Sequence, residues 1–195
     1  MNAEWNVVQE FEVAVADYAH APFAVAVDTC ASALFLCCKR LKVGNVAIPK
    51  RTHISVPSAI IHAGGSVTFT EDRWVGTYPL LPYPIIDSAC RFRRAMYRPH
   101  TLWCLSFQYR KHLPIGRGGM ILCDDLEAYR WFKLARFWGR QEVPLTDDNP
   151  TFVGWQMFME PERAVRGLSL LSAFGDRTLD LTFDYPDLSQ IRAFQ

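Results

Sequence analysis

The feature that most constrains the fold is a five-residue apolar run at 23–27, followed at once by Asp28-Thr29 and an apolar-periodic segment over 31–41. Five residues are too few for a helix, and Phe and Val favour strands. Asp and Thr are helix-capping residues, so the pattern predicts a strand that turns directly into a helix. The alternation continues along the chain. A strand is expected over 46–48, closed by Pro49, and then a helix over 55–63 with Pro57 in its first turn. Gly64-Gly65 ends that helix, and 66–70 reads as strand again. Further strands are expected over 84–87, 101–105 and 120–123, and helices over 5–18, 124–138 and 160–171. Strands alternating with helices specify an α/β/α sandwich with a mostly parallel sheet. A polar, turn-rich stretch over 139–150 is the expected linker. It separates a domain over 1–140 from a segment over 141–195 made of linker, one helix and a tail.

Half of the 195 residues are hydrophobic, enough for a sizeable core, and 21 basic residues face 20 acidic ones. A net charge of +1 gives no global reason to expect a nucleic-acid or membrane partner. The six cysteines (Cys30, Cys37, Cys38, Cys90, Cys104, Cys123) sit mostly in apolar stretches, and none forms a CxxC pair. That usage argues against a zinc site or a disulfide framework and for reduced, buried thiols in a cytoplasmic protein. The first residues lack the basic and apolar regions of a signal peptide. No apolar run reaches the roughly 18 residues that a spanning helix needs.

Three features carry chemistry: the strand-to-helix turn with Thr29 and Ser32, a strand ending in Asp87, and Lys111 in a stretch that runs on into glycines. Pyridoxal phosphate chemistry needs all three types of group. A Lys forms a Schiff base with the cofactor and later moves the proton at the substrate's α-carbon. An Asp keeps the pyridine nitrogen protonated, which makes the ring an electron sink. A helix N-terminus with hydroxyl donors holds the phosphate.

Ser106-Phe107-Gln108-Tyr109-Arg110-Lys111 followed by Gly116-Arg117-Gly118-Gly119 is similar to the Ser-Phe-x-x-x-Lys and Gly-Glu-Gly-Gly pattern of the DegT/StrS family. These are fold-type-I pyridoxal-phosphate enzymes, best known as nucleotide-sugar aminotransferases. Asp87-Ser88-Ala89 resembles the family's Asp-Ala-Ala. The resemblance implies pyridoxal 5'-phosphate as cofactor, Lys111 and Asp87 as catalytic residues, and Ser106 as a phosphate contact. Thr29 and Ser32 occupy the place of the family's phosphate loop, although Cys30 and Ala31 replace its Gly-Thr. His53 stands where an aromatic ring normally stacks on the cofactor, and Gln156 where an Asn reaches the partner subunit's cofactor. A homodimer is therefore implied. The matched blocks run from about residue 10 to 171, but a strand-helix unit between Asp72 and Tyr83 and most of the small C-terminal domain have no counterpart.

The resemblance implies an aminotransferase acting on an amino or keto group of a nucleotide-linked substrate. A competing reading keeps the cofactor but decarboxylates an amino-acid-modified nucleotide or DNA base, as in phage-type DNA hypermodification. The protein would then work in a host cytoplasm. His53 and the basic run Arg91, Arg93, Arg94 and Arg98 favour that reading, because Arg forks match phosphate geometry. A third reading is a non-catalytic relic that binds cofactor or a partner chain. For each residue there is an ordinary structural role as well: a solvated Lys111, helix-capping Asp87, Thr29 and Ser32, a partly buried His53. Cys90, His62 and His112 are expected to be structural, and no metal site is expected.

Overall fold

The structure, a computed structural model, describes residues 3–176 and 178–194. The expectation about the chain's start falls partly on Met1 and Asn2, outside the described residues. Among the described residues five α-helices form: α1 (Ala3–Ala19), α2 (Cys30–Leu41), α3 (Ser55–His62), α4 (Leu126–Ala135) and α5 (Pro161–Ser172). Seven strands accompany them: β1 (Phe23–Val27), β2 (Asn45–Pro49), β3 (Ser66–Thr70), β4 (Tyr78–Pro79), β5 (Ile85–Ser88), β6 (Leu102–Ser106) and β7 (Gly119–Cys123). Among the described residues no helix is long and apolar enough to cross a membrane.

The central sheet has the order β1-β7-β6-β5-β4, and β2 pairs with β3 in a separate two-stranded sheet. Alternation along the strands explains the layers. In β1, Val25 and Val27 point into one apolar cluster with α2, α3 and α4, while Ala24 and Ala26 point into another with α1 and α5. In β7, Ile121 and Cys123 join the first cluster and Met120 and Leu122 the second. A sheet buried on both faces by helices is the expected sandwich.

The sheet itself corrects the expectation of mostly parallel pairing. β5 and β6 pair in parallel, as do β2 and β3, but β7 runs antiparallel to both β1 and β6, and β4 antiparallel to β5. β7 can do so because it follows β6 through the loop 107–118, which contains no crossover helix. β4 is a two-residue return strand in the stretch where the strand-helix unit has no counterpart. An isolated bridge between Ala47 and Leu81, just after β4, links β2 to this stretch. Pro79 and its brevity hide β4 from any periodicity argument.

β1 lies at the sheet edge, so the outward N–H and C=O of Ala26 need partners. Glu12 of α1 accepts from Ala26 N–H at 2.8 Å, and the Arg136 guanidinium donates to the Ala26 carbonyl. Arg136 is fully buried and also holds Glu12 (2.5 Å) and Glu142 (2.6 Å), while Lys133 reaches both carboxylates at 3.0 Å. Glu142 belongs to the expected linker, and this docking fastens that segment to α4. α4 stops at Ala135, three residues earlier than expected, because Trp138 N–H turns to the Trp155 carbonyl (2.9 Å). At the other end, Asp125 caps α4 by accepting from Ala128 N–H. On the opposite face α5 packs against α1, with Gly167 set directly on the Phe11 ring, where a Cβ would lie 2.5 Å from the ring carbon.

Candidate active site

The C-terminal ends of β5 and β6, the start of α2 and the 107–118 loop enclose a cleft of about 280 Å³. Ligand sites form at such strand ends because helix N-termini and loops converge there. Five of the seven residues singled out from the sequence line it: Thr29, His53, Asp87, Ser106 and Lys111. Ser32 sits just behind Thr29. Gln156 lies elsewhere, exposed beside Arg117, Asp28 and Arg163 in a shallow depression.

Asp87 forms the floor and is buried. Its Oδ1 accepts from Ala89 N–H (2.9 Å) and its Oδ2 from the Tyr78 hydroxyl (2.7 Å). The Tyr78 proton is thereby committed, so Thr52, whose Oγ1 is 2.5 Å from the phenol oxygen, donates to it. Burial pushes the Asp87 carboxyl above its ordinary range. The Ala89 N–H, the Tyr78 hydroxyl and the charge of Lys111 oppose that rise without cancelling it.

Lys111 stands on a loop fixed by backbone bonds: Phe107 N–H to Gly118 O, Tyr109 N–H to Gly116 O and Lys111 N–H to Gln108 O, at 2.8–3.0 Å. Its Nζ is 3.6 Å from Cys90 Sγ and 4.2 Å from the centre of the Phe183 ring. Lys50 and Lys133, in contrast, are engaged in ion pairs away from the cleft. The glycines after Lys111 have a steric reason. A Cβ on Gly119 would lie 2.5 Å from the Thr29 carbonyl carbon, so β7 can approach the start of α2 only with glycine there.

At that helix start Thr29 Oγ1 accepts from Ser32 N–H (3.0 Å) and lies 2.8 Å from Ser32 Oγ. The hydroxyls and the positive end of the helix dipole favour an anion. Arg117 extends over the same rim, paired with Asp28 at 2.6 Å. His53 Nδ1 accepts from Ser55 N–H (3.2 Å), which leaves the ring proton on Nε2. Burial, and then the charge of Lys111, hold its pKa below the ordinary value, so the ring is neutral at pH 7.

Sequence reasoning missed four cleft components. Thr52 and Tyr78 orient Asp87, and Phe183 and Tyr185 reach in from the tail. The tail does carry a period-2 alternation of apolar and polar residues over 181–185, the one signal that an extended, half-buried segment lies there. The arginine run also has a different environment from the one expected. Arg91 and Arg93 bind Asp180, and Arg94 binds Asp176. These three guanidinium groups are therefore committed within the chain. Among the described residues no cluster of His, Cys, Asp and Glu is placed to hold a metal ion. The cysteines are free thiols, all buried except the half-buried Cys30.

Residues 3–74, from α1 through β3, match the model of the DegT/DnrJ/EryC1/StrS aminotransferase family. Three solved structures share the fold. AtS13 from Actinomadura melliaura is 21% identical with a TM-score of 0.71, over 85% of this chain and 59% of that one. The sugar aminotransferase CalS13 from Micromonospora echinospora is 18% identical with a TM-score of 0.71, over 85% and 60%. A DegT DnrJ EryC1 StrS aminotransferase from Brucella abortus is 16% identical with a TM-score of 0.73, over 85% and 58%. No curated protein matches the sequence. The chain spans less than two thirds of the length of these solved structures. The chain is thus similar to the DegT/DnrJ/EryC1/StrS aminotransferase family over its first helices and strands, and it shares its fold with those structures over most of its length.

Proposed function

We propose that the chain holds pyridoxal 5'-phosphate on Lys111 and acts as an aminotransferase on an amino or keto group of a nucleotide-linked substrate. The observation that carries this reading is the convergence of Lys111, Asp87 and the Thr29 helix start, distant in sequence, on one cleft. The residues fit the cofactor: a water-shielded carboxylate, an amine, and hydroxyls at a helix N-terminus are the donor set it requires. The glycine at position 119 keeps the helix start against the strand where any side chain would push it away.

When bound, the cofactor supplies an electron sink for the carbanion at the substrate's α-carbon. Lys111 Nζ would carry the cofactor and then move the proton at that carbon. Asp87 would keep the ring nitrogen protonated, since a neighbouring negative charge favours a protonated base. Thr29, Ser32 and Ser106 would hold the phosphate, and the neutral His53 ring would stack on the cofactor. Gln156, exposed and outside its own chain's cleft, would complete the site of a partner in a two-fold homodimer. The reading places the protein in the cytoplasm.

Incubating the loaded protein with amino donors tests the reaction. A transaminase leaves the cofactor in its amine form with a keto product, and this is the expected result. Release of carbon dioxide with return of the aldehyde would establish the decarboxylase reading instead. Neither product would leave a non-catalytic relic. In the same assay, mixed Lys111→Ala and Gln156→Ala chains are expected to regain part of the activity each lacks alone. No rescue between chains shown to exchange subunits would refute the shared site.

A further inference from the structure

Residues 178–190 cross the mouth of the cleft as a strap anchored at both ends, without helix or strand until the 3-10 turn Leu188–Gln190. On one side Asp180 takes Arg91 at 2.5 Å and Arg93 at 2.7 Å, Leu181 N–H donates to Cys90 O (2.9 Å), and His112 Nε2 lies 2.8 Å from Leu179 O. On the other, Asp187 pairs with Lys50 (2.9 Å), Leu188 N–H donates to Lys50 O (2.9 Å), and the Leu188 side chain is fully buried. The rest of the chain is shaped to receive the strap. Gly76, at φ +75°, leaves room for the Asp180 carboxylate, whose carbon would lie 2.4 Å from any Cβ there.

Between the anchors, Phe183 and Tyr185 turn inward. The Phe183 ring faces Lys111 Nζ at 4.2 Å and Arg110 Cζ at 5.1 Å. Tyr185 stands edge-on to His53, with ring centres 6.1 Å apart, and sits beside Trp74. An ammonium over a ring face is attracted to it, and the attraction grows as water is excluded.

Resting on the assignment of the cofactor to Lys111, we propose that Phe183 is a positioning residue, held by the strap to fix Lys111 Nζ and to keep water from the bond that Nζ makes to the cofactor. That bond forms between Nζ and the aldehyde carbon with loss of one water, and release adds one water back. A ring that shields Nζ therefore slows release.

The readout is the loss of visible absorbance after dilution of loaded protein into buffer containing an aldehyde trap, with melting temperatures measured in parallel. Phe183→Leu, which keeps bulk but removes the ring face, is expected to release cofactor about tenfold faster. Phe183→Tyr, which keeps the ring, is expected to stay near wild type. Asp180→Asn, which loosens the anchor, is expected to speed release and to open residues 178–190 to limited proteolysis. Leu179→Ala, altering a side chain 88% exposed on the same strap, is the control and should change nothing. Release from Phe183→Leu at the wild-type rate, with wild type visibly loaded, would overturn the proposal. So would equal acceleration in Phe183→Tyr, which would reduce the residue to packing. A wild type that never loads on Lys111 would instead refute the underlying cofactor assignment.

Discussion

Replacing Asp87 with Asn is expected to lower turnover by about a thousandfold while the cofactor still attaches to Lys111. The carboxylate is the charge that would hold a proton on the cofactor's ring nitrogen. At an effective dielectric of about 20, a close charge pair is worth about 4 kcal/mol, which corresponds to a factor of about 10³ in rate. The fold should survive, but at a cost. Asp87 accepts from two donors, Ala89 N–H and the Tyr78 hydroxyl, and Asn offers only one oxygen to them. Whichever way the amide turns, one donor meets another donor, a loss of about 1–3 kcal/mol for a buried group. Steady-state turnover, visible absorbance and melting temperature, measured together, separate the two effects. Turnover near wild type in a loaded Asp87→Asn protein would remove Asp87 from the mechanism.

The largest effect on stability is expected from Arg136→Met. Removing one partner of a buried charge network leaves the others unpaired, and such losses run to about 3–5 kcal/mol. Here Glu12 and Glu142, with side chains only 5% and 8% exposed, would lose the guanidinium and keep the Lys133 ammonium with the neutral donors Ala26 N–H and Gln9 Nε2, and the Ala26 carbonyl at the sheet edge would lose its donor. The network also sets an acid limit. Arg136 and Lys133 outweigh the effect of burial and hold Glu142 down to about 2, against an ordinary value of 4.5. A carboxyl depressed in the folded state contributes stability that is full above its unfolded pKa and lost as pH falls through the folded one. In the wild type, about 3 kcal/mol should therefore disappear between about pH 4.5 and 2. In Arg136→Met much of that slope should be gone. Denaturant unfolding at pH 7 and at pH 3 checks both statements. A loss below 1 kcal/mol at pH 7 would mean that the network is not what secures the β1 edge.

What could be read from the chain follows the range of the interactions. Local signals were legible: the apolar run at 23–27, the Asp28-Thr29 cap and the glycines that end α3 each act over a few residues, and the elements formed there. The packing of the tail was not. Phe183 meets Lys111 across 72 residues of sequence, and Asp180 meets Arg91 across 89, distances over which no periodicity speaks. For the same reason Arg91 and Arg93 read as part of a basic run suited to phosphate when they are the anchor of a strap. Arg136 shows a related limit. A basic residue near a helix C-terminus reads as a favourable dipole contact, and only the edge position of β1 explains why this one is fully buried. The mixed pairing of the sheet was hidden because β7 has the same composition whichever way it runs. At the site, Lys111 and Asp87 were visible through motif spacing. Tyr78, which with Thr52 orients Asp87, belongs to no motif and appears only once β4 is seen beside β5.

The central claim is that Lys111 carries the cofactor, and the chain's other lysines, Lys39, Lys42, Lys50 and Lys133, supply internal controls. Sodium borohydride reduction of protein loaded with pyridoxal phosphate fixes the cofactor to whichever amine holds it, and proteolysis with mass spectrometry then locates it. The expected result is a single modified peptide containing Lys111, absent from Lys111→Ala protein, together with loss of the visible absorbance. Modification of another lysine, or a loaded protein with no fixed label, would contradict the claim.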